Sequence, residues 1–186
     1  MLFKSLTTAM TNQLTSKMFT EIVGSLNSAV SYAERLDSSL NSIRIVTHNS
    51  VEEMEKFATH ATAAAQALSS TTTAYTDAAL IYYQQGLRTD KDIQGRTDVT
   101  IKMANVTGDS AAKVSEQLTA IWNNFSDYGD DFERYADIIT ALGAATASST
   151  DEISEGLGKF ASIAQTVGLS YDYATSALAT LVSATR

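Results

Sequence analysis

The first part of the chain carries a heptad pattern of apolar residues. Steps of three and four positions alternate along it, and its members are Phe19, Ile22, Leu26, Ala29, Ala33, Leu36, Leu40 and Ile43. This alternation keeps one apolar seam on the same side of a helix, which is typical of coiled coils. Apolar residues from Leu6 to Ile22 instead step by four, a spacing that locally unwinds a supercoil. The pattern predicts one long helix over residues 5–47.

Two alternatives are open for what covers the seam. Either the seam packs on the rest of this chain, or it joins copies of the chain into a homo-oligomer through the first helix. Ala29 and Ala33, in the middle of the seam, leave room for a partner helix to approach closely. In both cases we expect the seam to be a helix-association surface.

From residue 48 the pattern changes to shorter amphipathic helices with recognisable ends. Ser50–Glu53 and Ser149–Glu152 match the capping box of a helix start, and Gly86 and Gly168, each followed by Leu, match a helix stop. The predicted helices are 50–68, 72–86, 90–106, 110–125, 130–147, 149–166 and 170–184. No segment alternates for long enough to predict a strand.

The sequence therefore predicts an all-α fold. A long N-terminal coiled-coil-like helix, residues 1–47, is followed by a bundle of about six to seven shorter helices, residues 48–186. The last helical pattern reaches Arg186 without a stop signal, which predicts that the second domain is truncated at its C-terminus.

Composition supports a helical chain and excludes several classes of function. The chain has no proline and 27 alanines, which favours helices over all-β folds. A net charge of −8 repels phosphate, so we expect no specific nucleic-acid binding. The longest uncharged stretch, 57–76, is half polar, so we expect no membrane span in this segment.

No motif in the sequence meets the requirements of a metal site or a cofactor site. Cysteine is absent, and His48 and His60 are too far apart to share a turn of helix. The sequence GLGKFA from Gly156 fits the dinucleotide fingerprint, but that motif requires a preceding strand. A helix is predicted there, so we interpret the glycines as points of close helix packing. We expect no cofactor and no metal.

The densest acidic run and the tyrosine-rich helix also have ordinary structural interpretations. Acids at a helix start favour the helix dipole, which accounts for Asp127, Asp130, Asp131 and Glu133. A carboxylate pair for glycosidic cleavage stays open as an alternative for this run. Tyr75, Tyr82 and Tyr83 are interpreted as half-buried core positions rather than as a binding platform. We predict that the chain is not an enzyme.

Several segments, taken in order, resemble phage tail tape-measure proteins. They read LDSSLNSIR from Leu36, SVEEMEKFA from Ser50, YTDAALIYYQQGL from Tyr75, MANVTG from Met103 and SSTDEISEGLGKFA from Ser148. The likeness covers roughly residues 30–186 and looks like the helical core region of that family. Their common order and spacing carry the resemblance, since single alanine-rich helices look alike.

The resemblance implies a structural virion protein. Such proteins set the length of the tail tube during assembly in the bacterial cytoplasm and occupy its lumen until the DNA is ejected. It also implies tail-tube, tail-initiator and tail-assembly chaperone proteins as partners. Two other functions stay open from the residues: a bacterial helical adaptor or secreted interaction protein without a phage role, and a cryptic murein hydrolase around Asp130–Glu133.

Overall fold

The computed structural model describes residues 28–125, 132–146 and 148–185. The chain divides into two compact units, Met1–Ser38 and Ser39–Arg186. Helix α1 covers residues 28–47 and crosses this division. The rest of the predicted helix 5–47 lies outside the described residues, so the long N-terminal coiled-coil helix is not shown. The predicted domain boundary after residue 47 stays a prediction.

The described residues after α1 form seven further helices and no strand. They are α2 (Val51–Ala67), α3 (Thr72–Gln84), α4 (Asp90–Thr107), α5 (Ala111–Phe125), α6 (Phe132–Ala145), α7 (Thr150–Thr166) and α8 (Tyr171–Ala184). Each agrees with a predicted helix to within two residues at either end. The predicted all-α class is thereby confirmed.

The predicted helix starts have the hydrogen bonds of a capping box. At α2, the Glu53 backbone N–H donates to Ser50 Oγ at 3.2 Å and the Ser50 N–H donates to the Glu53 carboxylate at 2.7 Å. Ser149 and Glu152 form the same pair at α7. Two backbone donors that the helix itself leaves unpaired are satisfied at each start, which fixes where the helix begins.

The predicted glycine stops are confirmed as well. Gly86 and Gly168 have φ angles of 94° and 74°, in the left-handed region that side chains rarely adopt. The Leu87 N–H then donates back to the Tyr82 carbonyl oxygen at 3.2 Å, which closes α3 in a Schellman motif. The Leu169 N–H closes α7 in the same way, donating to the Ala164 carbonyl oxygen at 2.9 Å.

The helices of the larger unit pack as two overlapping groups. Helix α3 lies against α2, α4 and α5, and helix α6 lies against α4, α5, α7 and α8. Helix α5 also contacts α7 directly. Helices α4 and α5 thus belong to both groups and join them into one core.

Aromatic side chains fill the centre of this core. Tyr75, Tyr82, Tyr135 and Tyr171 are at most 1% exposed, although the sequence predicted only half-buried positions for Tyr75 and Tyr82. Their hydroxyl groups have partners: Tyr82 bonds to Thr100, and Tyr75 donates to Asp98 at 2.9 Å. Because each hydroxyl is paired, the rings can be buried without the cost of an unpaired polar group.

Several threonines enter the core with their hydroxyl groups paired inside their own helix. Thr97 Oγ1 donates to the Ile93 carbonyl oxygen at 2.6 Å, and Thr175 Oγ1 donates to that of Tyr171 at 2.7 Å. Both threonines are fully buried. Bonds of this kind within one helix let these threonines be buried without an unpaired hydroxyl group.

Candidate association surface

The predicted seam is divided between the two compact units. Ile43 is fully buried in the core of the larger unit, and Leu40 packs against that core from a partly buried position. Ser39, beside them, is 5% exposed. The last two seam residues therefore pack within the larger unit.

The earlier part of the seam that the structure describes is open to solvent. Ala29 and Ala33 are exposed and Leu36 is partly buried. Val30 and Tyr32 flank them on either side of the seam and are 55% and 42% exposed. They widen the apolar face around the two alanines beyond the a/d positions that the sequence pattern singled out.

Three seam residues, Phe19, Ile22 and Leu26, lie outside the described residues. Their place in an association surface stays a prediction, as does homo-oligomer formation. The fold limits the length of seam that is available to another helix, because a second helix cannot cover Leu40 and Ile43 while these pack in the core. The part of the seam left for another helix ends near Leu36, where the larger unit begins.

Of the four residues in the acidic run, the structure describes only Glu133. Asp127, Asp130 and Asp131 lie outside the described residues. Glu133 stands in the first turn of α6 and pairs with Lys102 of α4 at 2.9 Å, where both side chains are more than half exposed. Within residues 28–125, 132–146 and 148–185 no group of three metal-ligating side chains converges.

The glycines of the GLGKFA segment lie within helix α7, as the sequence predicted. A Cβ atom on Gly156 would come within 2.6 Å of Leu178 Cδ2, so this glycine lets α8 approach closely. Gly158, by contrast, faces open space. The packing interpretation is confirmed for Gly156 and wrong for Gly158, and the glycines do not form the loop of a dinucleotide site.

A polar groove that sequence reasoning missed lies in the larger unit, with a volume of about 380 Å³. Its lining includes Asn49, Phe57, His60, Tyr83, Asp90 and Gln94. These residues come from the α1–α2 connection and from helices α2, α3 and α4. Because the lining is assembled from several separate elements, no local motif could have revealed the groove.

None of the described helices is long and apolar enough to cross a membrane. The uncharged stretch 57–76 spans the end of α2 and the start of α3.

Comparison with known proteins places the helical bundle within a family. Residues 61–186, which are 126 of the 186 residues, match the family model of phage-related minor tail proteins. The match begins within α2 and continues through α8, so all of the predicted seam precedes it. No curated protein and no solved structure matches the chain significantly.

Proposed function

The chain belongs to the family of phage-related minor tail proteins, and on this premise we propose that it is the tape measure of a phage tail. Its role in the tail is structural. The observation that carries the finer proposal is the heptad seam, which directly precedes the bundle that the family match covers. A ruler needs an extended element of fixed length, and a helix supplies about 1.5 Å for each residue.

In this proposal the two units have different tasks. The first unit continues as a helix whose seam joins copies of the chain side by side in the lumen of the tail tube. The bundle is the docking domain, and its partners are tail-tube, tail-initiator and assembly chaperone proteins. The chain acts without catalysis, metal or cofactor, and it stays in the virion tail until the DNA leaves.

The family match supports a phage role over that of a bacterial adaptor or secreted protein. The ion pair between Glu133 and Lys102 gives no support to a hydrolytic carboxylate pair in the described part of the acidic run. We therefore favour neither of these two alternatives.

Tail length tests the ruler proposal. Residues 16–36 make up three heptads and end before Ser39, so deleting them leaves the buried residues of the larger unit intact. Loss of this helical length should shorten the tails by about 32 Å, and a tandem duplication of residues 16–36 should lengthen them by the same amount. Electron microscopy of tails from the two phage mutants and from the wild type measures both changes.

A single result would be ambiguous, which is why both changes are needed. Opposite shifts in tail length identify the segment as part of the ruler. Unchanged length in both mutants, with tails still assembled, would refute the ruler role of this segment and leave the chain a tail component of another kind.

Self-association is tested separately. The double substitution Leu26→Lys and Leu36→Lys places two charges in the seam, whereas Asn27→Lys and Ser31→Lys places the same charges away from it. Light scattering should show loss of the oligomer only in the seam variant, because an unpaired charge at a or d positions opposes helix association. A mass that is the same for both variants would remove the homo-oligomer from the proposal.

A further inference from the structure

A second groove, with a volume of about 440 Å³, runs between α4 and α6 of the larger unit. Helix α4 lines it with residues spaced three and four apart from Val99 to Val106, and α6 lines it in the same way from Glu133 to Ala144. Each set lies on one face of its helix. This α4–α6 groove therefore follows about three turns of α6, a length of about 17 Å.

The α4–α6 groove is open and largely apolar. Val106 is 71% exposed, and Ala141 and Ala144 are exposed as well. Met103 and Ala136, which also line the groove, are buried. Burial of this exposed apolar strip under another element would stabilise the contact through the hydrophobic effect.

The charged groups at the groove are mostly negative. Lys102 pairs with Glu133 at 2.9 Å, and Asp137 adds a second carboxylate to the lining. Glu133 foremost, and then Asp98 and Asp137, raise the pKa of Lys102. Because one cation faces three carboxylates, a basic segment suits this groove better than an acidic one.

The start of the chain, which lies outside the described residues, has the complementary charge. Residues 1–20 contain Lys4 and Lys17 and no acidic residue, whereas residues 21–186 contain 11 basic and 21 acidic residues. The internal stretch 126–131, also outside the described residues, holds three aspartates. Charge therefore favours the first segment as the occupant of the groove.

The apolar residues of this segment match the groove in spacing and length. They step by four positions, unlike the seam, and are Leu6, Met10, Leu14 and Met18. On a helix this step forms a single row about 18 Å long. In the groove, Ala136, Thr140 and Ala144 form a row of small side chains with the same step. Interlocking of two such rows is the commonest way in which helices pack in globular proteins.

We propose that the α4–α6 groove binds residues 4–18 of a second copy of this chain. The groove is free to receive them, because Val106 stays 71% exposed in a single chain. The apolar row enters the groove, and Lys17 lies beside Asp137. The contact joins the start of one chain to the bundle of another, so it is heterologous and links chains that are offset from each other. It is separate from the seam and does not depend on the ruler role.

Disulfide trapping tests the contact on the full chain, which has no cysteine of its own. One chain carries Met10→Cys, and a second chain with a longer tag carries Ala141→Cys. After mild oxidation of the mixture, the dimer of the two different chains should form about tenfold faster than when the second chain carries Ser176→Cys, because docking raises the effective concentration. Ser176 is an exposed position on α8. Gel electrophoresis separates this mixed dimer from the two symmetric dimers by the length of the tag.

Further variants separate docking from chance encounter. Val106→Lys should lower the yield of the mixed dimer about tenfold, because it places a charge in the apolar strip and repels Lys17. Ile163→Lys, at a 58% exposed position on α7, should leave the yield unchanged. Lys17→Glu should lower it about fivefold, and Asp137→Lys in the other chain should restore it, since the charge pair is then reversed. Circular dichroism verifies that each variant keeps its helices.

Three outcomes would overturn the inference. Equal trapping at Ala141→Cys and Ser176→Cys would reduce the contact to random collision. A dilute chain carrying both Met10→Cys and Ala141→Cys that closes the disulfide within itself, with no mixed dimer in the first experiment, would replace the second copy with the same chain. Failure of Asp137→Lys to restore the yield lost in Lys17→Glu would refute the pairing of these two residues.

Discussion

The hydroxyl group of Tyr171, at the start of α8, donates a hydrogen bond of 2.8 Å to the backbone carbonyl oxygen of Tyr135 on α6. The two rings also meet edge to face, with centroids 4.5 Å apart. A third ring, Phe125 at the end of α5, contacts Tyr171 at 5.4 Å. One side chain thus joins the last helix to two helices that precede it in the chain.

Removing the Tyr171 hydroxyl should measurably weaken the bundle. Tyr171→Phe leaves the ring in place but deletes a buried hydrogen bond, so we expect the free energy of unfolding to fall by about 1–2 kcal/mol. Tyr173→Phe, two residues away and 62% exposed, should change it by less than about 0.5 kcal/mol. Urea unfolding followed by circular dichroism compares the two, and equal midpoints would contradict the assigned role of Tyr171.

The division of the seam predicts different effects for two isoleucines on the same helix. Ile43 is fully buried, whereas Ile45 is 65% exposed. Ile43→Ala should lower the free energy of unfolding by about 2–5 kcal/mol, because it leaves a cavity in the core. Ile45→Ala should have an effect within about 0.5 kcal/mol. Similar thermal midpoints for both variants would show that α1 does not belong to the core.

Two glycines in α7 should respond to alanine in opposite directions. Gly158→Ala meets open space and should stabilise the helix by about 0.5–1 kcal/mol, since alanine restricts the unfolded chain. Gly156→Ala would displace the side chain of Leu178, and we expect a net loss of about 1 kcal/mol from overpacking. Denaturant unfolding of both variants measures the sign of the change in unfolding free energy. A stabilised Gly156→Ala would show that α8 moves to make room for the added methyl group at little cost.

The contact between α5 and α7 should depend on pH. Lys113 pairs with Asp151 at 2.5 Å, and Gln117 donates to the same carboxylate at 2.9 Å. The Lys113 ammonium holds the pKa of the Asp151 carboxyl below its usual range. Stability from a lowered carboxyl pKa is present above the unfolded value, about 3.9, and is lost as pH falls through the folded value.

Two substitutions separate this contribution from general acid unfolding. Asp151→Asn should lose less unfolding free energy than the wild type between neutral pH and about pH 3, since it has no proton to take up. Lys113→Met should show the same reduced dependence, because the cation is gone. Urea titrations at both pH values test this. The same loss in all three chains would place the pH dependence elsewhere.

Much of the fold could be predicted from local sequence because its signals are local. A capping box needs only residues three apart, as in Ser50–Glu53, and a helix stop needs only a glycine such as Gly86 and the leucine after it. The helix ends therefore followed from the sequence to within two residues. The packing role of Gly156 could be predicted as a type of contact, but its partner Leu178 could not, because the two belong to different helices.

The seam shows where sequence alone reaches its limit. A heptad pattern states that one face of a helix is apolar, yet it does not state what covers each position. The same spacing continues from Ala33 to Ile43 while the environment changes from solvent to core. Only the packing of the larger unit decided that Leu40 and Ile43 belong to its interior.

The sequence by itself determined the class of the fold, the helices after residue 48 and a resemblance to phage tail proteins. The tertiary structure decided how the aromatic rings join the helices and where the polar groove lies. The physical reason is the range of each interaction. Caps, stops and apolar periodicity act within one helix, whereas Tyr171 meets Tyr135, and Tyr83 faces Asp90, only after separate helices have packed.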